Sequence, residues 1–248
     1  VDIASISHPL NASEYQARAS SIIKSLLKED KTPLLVGGSG FYLRALLKGM
    51  YETEEAEKST KGSAQLMEYD KLRMTLREVD PESYENLHPN DVYRNRRALE
   101  YFEQTGKKIS SQKSKIQNPY NFSAELAYDW EILHLHFDFP KEEHQKIILA
   151  RTQKMINEGL LQEVEDLLKS GFSGQEKPLL SIGYKEAQLY LQKKMSTLEE
   201  LTNAICVATR QLAKAQRTFF KKSIDKKAFN PITDWHRIEA EVQLFLGS

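Results

Sequence analysis

The segment SEYQARASSIIKSLLKED (13–30) carries apolar residues at Tyr15, Ala19, Ile22, Ile23, Leu26 and Leu27. Steps of three and four place them on one face of an α-helix. Asn11, with Glu14 three residues on, supplies a capping box at its start. The apolar run TPLLV (32–36) reads as a buried strand. VGGSGFY (36–42) follows, and FYLRALLKGM (41–50) resumes helical spacing up to Gly49. Helix, strand, glycine turn and helix in succession predict an α/β core.

YETEEAEKSTKGS (51–63) is polar and aperiodic, which predicts a linker. Residues 64–112 then alternate helical patterns with turns and show no strand. Within them, DPESYENL (80–87) and NDVYRNRRALEYFEQTG (90–106) have the layout of capped helices, the second closed by Gly106. SSQKSKIQNPYN (110–121) is a polar loop. Strand character returns in WEILHLHFDFP (130–140), where Leu133, Leu135, Phe137 and Phe139 alternate with Ile132, His134, His136 and Asp138. The rest predicts helices, with a short strand near NPITDWH (230–236). The expected organisation is an α/β core of residues 1–57 and 129–248, interrupted by a helical insert at 58–128.

The helix predicted over 199–222 is unusual in its charges. Leu201, Ile205, Ala208, Leu212, Ala215 and Phe219 form an apolar seam, while Arg210, Lys214, Arg217 and Lys221 recur on the opposite side. Like charges at these spacings repel by a few tenths of a kcal/mol per pair, so a solvated face normally interleaves Glu. Two readings stand: a merely soluble helix face, or a surface for an anionic partner such as a polynucleotide backbone. VYRNRRALEY (92–101) adds Arg94 and Arg97 on one helical face with Tyr93 beside them. It reads either as an exposed basic helix or as a surface pairing with phosphates and stacking on unpaired bases.

Composition sharpens this. Lys+Arg and Asp+Glu each number 35, so the chain is not a uniformly basic nucleic-acid binder and only the distribution can matter. That distribution is uneven: Leu201 to Ile224 holds five cations and no acid. The single cysteine, Cys206, excludes an internal disulfide and reads as a packing residue in a reducing, cytoplasmic setting. No apolar run approaches the roughly 20 residues that span a bilayer. VDIASISHPL has no signal-peptide layout, and a start at Val1 rather than Met suggests a fragment or processed form. His134 and His136 share a strand face at a spacing that can bind metal, with no third ligand nearby. Arg151 is expected at a helix start, where spacing alone reads it as a salt-bridge partner. Gly37, Gly38 and Gly40 allow a tight turn and close approach of a ligand, and Ser39 is the hydrogen-bonding side chain among them. No Lys follows, so this is not a G-x-x-x-x-G-K-[ST] loop.

Four stretches together resemble the tRNA dimethylallyltransferases (isopentenyltransferases): PLLVGGSGFYLRALLKG (33–49), HPNDVYRNRRALEYFEQTGK (88–107), SIGYKEA (181–187) and CVATRQLAKAQRTFFKK (206–222). The resemblance implies a P-loop NTPase-like α/β core with an inserted all-helical domain gripping a tRNA anticodon stem-loop. It implies transfer of a dimethylallyl group from dimethylallyl diphosphate to N6 of adenosine 37 in tRNAs reading codons that begin with U. Mg²⁺ would accompany the diphosphate, and the target base would be flipped into the core. Ser39 matches the residue contacting the target nucleotide, and Arg151 an arginine that binds the diphosphate. tRNA contacts are implied at Tyr93, Arg94, Asn95, Arg96 and Arg97, and at Leu180, Ser181, Ile182, Gly183, Tyr184 and Lys185. Arg210, Lys214, Gln216, Arg217, Thr218, Phe219 and Lys221 complete the implied set. Ala215 stands where the family has a cation.

The family's phosphate loop and the Asp-Ser motif carrying its general base are not in these 248 residues. The expectation is that the core lacks its first strand and that the chain alone has little or no transferase activity. A monomer is expected. The alternatives are a non-catalytic RNA-binding paralogue and an adenylate isopentenyltransferase acting on free AMP or ATP.

Overall fold

Asn11 begins the first helix as its side chain dictates. Its Oδ1 accepts from the Glu14 N–H at 2.9 Å, and the Glu14 carboxylate accepts from the Asn11 N–H at 3.0 Å. In this computed structural model, which describes residues 3–49, 63–113, 119–124 and 126–247, helix α1 runs Ala12–Lys28 and α2 runs Gly40–Lys48. The chain forms two compact units, Val1–Leu47 with Tyr120–Ser248 and Lys48–Pro119. The expected linker lies, up to residue 62, outside the described residues.

Only part of the predicted α1 face is covered. Ile23 joins Leu46, Leu47, Phe122 and Phe220 in one core cluster, whereas Ile22 and Leu27 are exposed. TPLLV is not a strand: its backbone joins no ladder, and Leu34 and Val36 are 85% and 87% exposed. A strand exists only through a neighbour's hydrogen bonds. Among the described residues none is supplied there, so the apolar pattern alone does not produce one.

The second unit is all-helical among its described residues: α3 (Ser63–Leu66), α4 (Tyr69–Val79), α5 (Pro81–Asn86), α6 (Val92–Thr105) and α7 (Ile109–Lys113). The caps fall where the sequence placed them, with Asp91 opening α6 and Gly106 closing it at φ 65°, and α7 occupies the first part of the expected polar loop. Asp80 organises the interior. Buried, it accepts hydrogen bonds from the backbone and hydroxyl of both Ser83 and Ser110. Burial by itself would raise its pKa, but these bonds outweigh it and hold the carboxyl below its ordinary range. A lowered folded pKa contributes stability above the unfolded value of about 3.9, lost as the pH falls through the folded pKa. Asp80→Asn is therefore expected to lower the urea midpoint at neutral pH, with the difference from the parent shrinking under strong acid. Equal midpoints at neutral pH would contradict this role.

Back in the first unit, the expected long strand shortens to β1 (Leu135–Phe137). The helices α8 (Lys141–Asn157), α9 (Leu160–Lys169), α10 (Tyr184–Leu191) and α11 (Leu198–Phe220) follow, then β2 (Lys227–Phe229) and α12 (Trp235–Leu246). β1 and β2 pair in parallel, Leu135 opposite Lys227 and Phe137 opposite Phe229. The second strand thus precedes the predicted 230–236, which turns into α12. Asp234 draws the chain out of extended form there: it accepts from the Asn230 N–H at 3.0 Å, and its backbone carbonyl receives Arg237 N–H at 2.9 Å.

α11 changes neighbours along its length. Leu201 and Ile205 pack with Leu160, Val164 and Ala187, as the seam predicted. Farther on, the buried positions are Cys206, Ala213 and Phe220, while Leu212 and Ala215 are exposed. Ala213 and Phe220 each lie one residue beyond the predicted seam, a rotation of about 100° at 3.6 residues per turn. The cause is packing: α8 lies against this part of the helix, with Cys206 Sγ 3.6 Å from the buried Thr152 hydroxyl.

Candidate nucleic-acid interface

Ser39 caps α2. Its carbonyl accepts from the Leu43 N–H at 3.0 Å, and its exposed hydroxyl receives the Tyr42 N–H at 3.5 Å, leaving the hydroxyl proton to donate elsewhere. The glycines around it have a different purpose from the one expected. None of the three has a positive φ, so the turn itself does not require them. A Cβ on Gly40 would lie 2.2 Å from the Phe219 ring, and one on Gly38 would lie 2.3 Å from Gln216 Nε2. Two of the glycines therefore admit α11, and only Gly37 has nothing within 4 Å. This contact brings Ser39 beside the basic helix.

The α11 cations face solvent. Arg210, Lys214, Arg217 and Lys221 are all exposed. Among the described residues, no acid pairs with any of them, and Arg217 Nη1 lies 3.4 Å from His144 Nδ1. Gln216 and Phe219 are half-buried against the glycine loop, and Thr218 donates its hydroxyl to the Lys214 carbonyl at 2.9 Å. Phe219 meets Tyr120 edge-on at 5.3 Å, and Lys222 Nζ lies 5.1 Å from the Tyr120 ring centre. Arg151 sits well inside α8 rather than at a helix start. It is exposed and, among the described residues, unpaired with any acid.

The turn around IGYK divides in two. Leu180, Ser181 and Lys185 are exposed. Ile182 and Tyr184 pack on the core of α9, α10 and α11, and Gly183, at φ 95°, gives its N–H to Glu186 at 2.7 Å. The Tyr184 hydroxyl donates to Glu163 at 2.6 Å. That bond, with burial, raises its pKa to about 12.

In the second unit α6 sorts its residues by face. Tyr93, Arg94 and Arg97 point outward, with Arg94 3.3 Å from Asp91 and Arg97 2.8 Å from Glu100. Asn95 and Arg96 turn inward. Asn95 accepts from Arg73 at 2.6 Å and donates to the carbonyls of His88 and Asp91. Arg96 donates to the carbonyls of Ala64 and Met67.

His134 lies 3.4 Å from the Ser223 hydroxyl and 3.7 Å from Asp225, and His136 packs beside Phe220. Burial lowers both pKa values, so both rings are neutral at pH 7. Among the described residues no three His, Cys, Asp or Glu side chains cluster to hold a metal ion. Among them, too, no helix is long and apolar enough to cross a membrane.

Residues 1–223 match the IPP transferase family. The chain belongs to that family. It is 35% identical over 229 residues to tRNA dimethylallyltransferase 2 of Geotalea uraniireducens, covering 91% of this chain and 71% of that protein. With the tRNA dimethylallyltransferase of Bacillus cereus strain Q1 the identity is 34% over 258 residues, 98% of this chain and 77% of the relative. The fold is that of a solved tRNA isopentenylpyrophosphate transferase from Staphylococcus epidermidis, with TM-score 0.63 and 27% identity, covering 100% of this chain and 79% of that one. A eukaryotic dimethylallyltransferase acting on tRNA shares the fold at TM-score 0.75 and 23% identity, over 96% of this chain and 61% of the other.

Proposed function

We propose that this IPP transferase family member prenylates tRNA, moving a dimethylallyl group from dimethylallyl diphosphate to N6 of adenosine 37 in tRNAs that read codons beginning with U. In that reaction N6 forms a bond to C1 of the dimethylallyl group. The C1–O bond breaks, diphosphate leaves with the electron pair, and N6 gives up a proton. The observation that carries the reading is the junction of the Ser39 loop with α11. The close packing of Gly38 and Gly40 sets a hydroxyl with a proton to donate against α11, a helix whose four exposed cations no described acid neutralises. A hydroxyl can orient a nucleotide while the cations neutralise the flanking phosphates. Arg151, exposed and without an acidic partner among the described residues, has the bidentate donors that suit a diphosphate. Residues 58–128 act in this reading as the anticodon-stem-binding insert, gripping RNA through Tyr93, Arg94 and Arg97. The protein works in the cytoplasm with its tRNA.

Exposed basic faces on two helices favour a polynucleotide over free AMP or ATP, which needs neither. The test is to incubate tRNA and dimethylallyl diphosphate with the protein, digest the RNA to nucleosides and identify them by mass spectrometry. These 248 residues alone are expected to form little or no N6-dimethylallyladenosine. A chain that also carries the family's phosphate loop and Asp-Ser motif is expected to form it, with Ser39→Ala slowing its formation by on the order of tenfold, the effect of one hydrogen bond to a reacting substrate. Product on AMP but not on tRNA would overturn the reading. tRNA bound without product by the chain that carries both motifs would favour a non-catalytic RNA binder.

A further inference from the structure

The N-terminal half of α8 and the later turns of α11 enclose an open groove of about 260 Å³. Its polar walls include Lys141, His144 and Gln145 from α8 and Arg210, Lys214 and Arg217 from α11, over a floor that includes Ile148 and Ala213. No Asp or Glu lines it. Glu142 and Glu143 share the first turn of α8, but both are exposed and outside the lining. Four cations around one small volume repel one another, and only an anion between them relieves that repulsion.

His144 settles what kind of anion suits the groove. Its ring lies against Phe139, 5.7 Å between centres and 27° between planes, so it is held in place. Nδ1 faces the Arg217 guanidinium at 3.4 Å. Guanidinium is donor-only, so in the neutral ring Nδ1 is the acceptor and the proton sits on Nε2. Among the described residues Nε2 has no partner, and it is free to donate. Lys141, Gln145, Arg210 and Lys214 add further donors. An array of donors around a concave volume matches a group with several acceptor oxygens and negative charge, which is a phosphate.

We propose that this groove is a phosphate-binding cleft, in which Lys141 and His144 of α8, facing the α11 cations, hold a backbone phosphate of the RNA. The assignment rests on the RNA reading above and adds a second wall to the α11 surface. His144 also acts as a positioning residue, orienting Arg217.

The test uses an anticodon stem-loop RNA, with affinity read by fluorescence anisotropy over a range of salt. Lys141→Ala and His144→Ala are each expected to weaken binding by about 3–10-fold. Lys141→Ala also lowers the salt slope by about 0.7–0.9, whereas His144→Ala, which removes a neutral donor, leaves the slope unchanged. His144→Gln, keeping an amide donor, recovers most of the affinity. Lys146→Ala, an exposed cation on the same helix but outside the groove, serves as the control and leaves both quantities at the parent value. If Lys141→Ala and His144→Ala bind like the parent while reversal of the α11 cations abolishes binding, the cleft is overturned and the RNA reading stands. If reversal of α11 also leaves binding intact, the RNA reading itself fails. NMR of the His144 ring separates the sources of phosphate. Its signals are expected to shift with the stem-loop, and a shift with inorganic diphosphate but none with RNA would overturn the proposal.

Discussion

Replacing Arg210, Lys214, Arg217 and Lys221 together by Glu is expected to abolish measurable binding of an anticodon stem-loop. The four side chains are exposed and have no acidic partner among the described residues, so their charge is uncompensated there. At about 1 kcal/mol per phosphate neutralised, removing four cations weakens affinity by on the order of a thousandfold, before repulsion from the new carboxylates is counted. The dependence of log K on log salt should flatten by about 0.7–0.9 for each phosphate no longer neutralised. Because the residues project into solvent, the thermal midpoint should stay within a few degrees of the parent's. A variant that keeps its affinity would show that the stripe is only a solvated helix face. Reversal of Arg94 and Arg97 should weaken binding less, since each already lies beside an acid, Asp91 and Glu100.

Gly40→Val is expected to cost the first unit much of its stability. The new Cβ would sit 2.2, 2.3 and 2.6 Å from three carbons of the Phe219 ring. That ring cannot simply swing away, because Tyr120, Phe122 and Phe220 surround it at 5.3, 6.3 and 5.2 Å between centres. Overpacking of this kind costs about 1–3 kcal/mol or more. Helix propensity opposes the clash in the milder Gly40→Ala variant, where Ala gains up to about 1 kcal/mol over Gly. Even so, the approach distance makes the steric effect the larger one. At about 2–4 °C per kcal/mol for a unit of this size, Gly40→Val lowers Tm by several degrees and Gly40→Ala by less. Gly37→Ala, with nothing within 4 Å, should be nearly neutral. Gly38→Ala should be mild, because its neighbour is the flexible end of Gln216. Equal Tm values for the Gly37 and Gly40 variants would refute the claim that α11 dictates glycine here.

Much of the architecture was legible in local chemistry. The Asn11–Glu14 box, the Asp91 and Gly106 ends of α6 and the helical character of 64–112 depend on residues within a turn of one another. The cationic face of α11 was legible for the same reason, since helical spacing alone puts Arg210, Lys214, Arg217 and Lys221 on one side. Strands were the weak point. TPLLV has the composition of a strand but no ladder among the described residues, and WEILHLHFDFP keeps only three residues paired, because pairing depends on a chain segment distant in sequence. His144, a residue that sequence reasoning passed over, carried no local signal. Its meaning comes from Arg217, 73 positions away.

By itself, then, the sequence determined where helices begin and end, which of their faces carry charge, and through its motifs the IPP transferase family. Each of these follows from short-range hydrogen bonding, helical period and residue identity. The tertiary structure alone decided what the glycines of VGGSGFY are for, which side of α11 is buried after Cys206, that Asn95 and Arg96 face inward, and that α8 closes a groove against the basic stripe. Those features join segments far apart in the chain. Steric exclusion and charge at such junctions are set by where the backbones meet, which no local pattern of residues encodes.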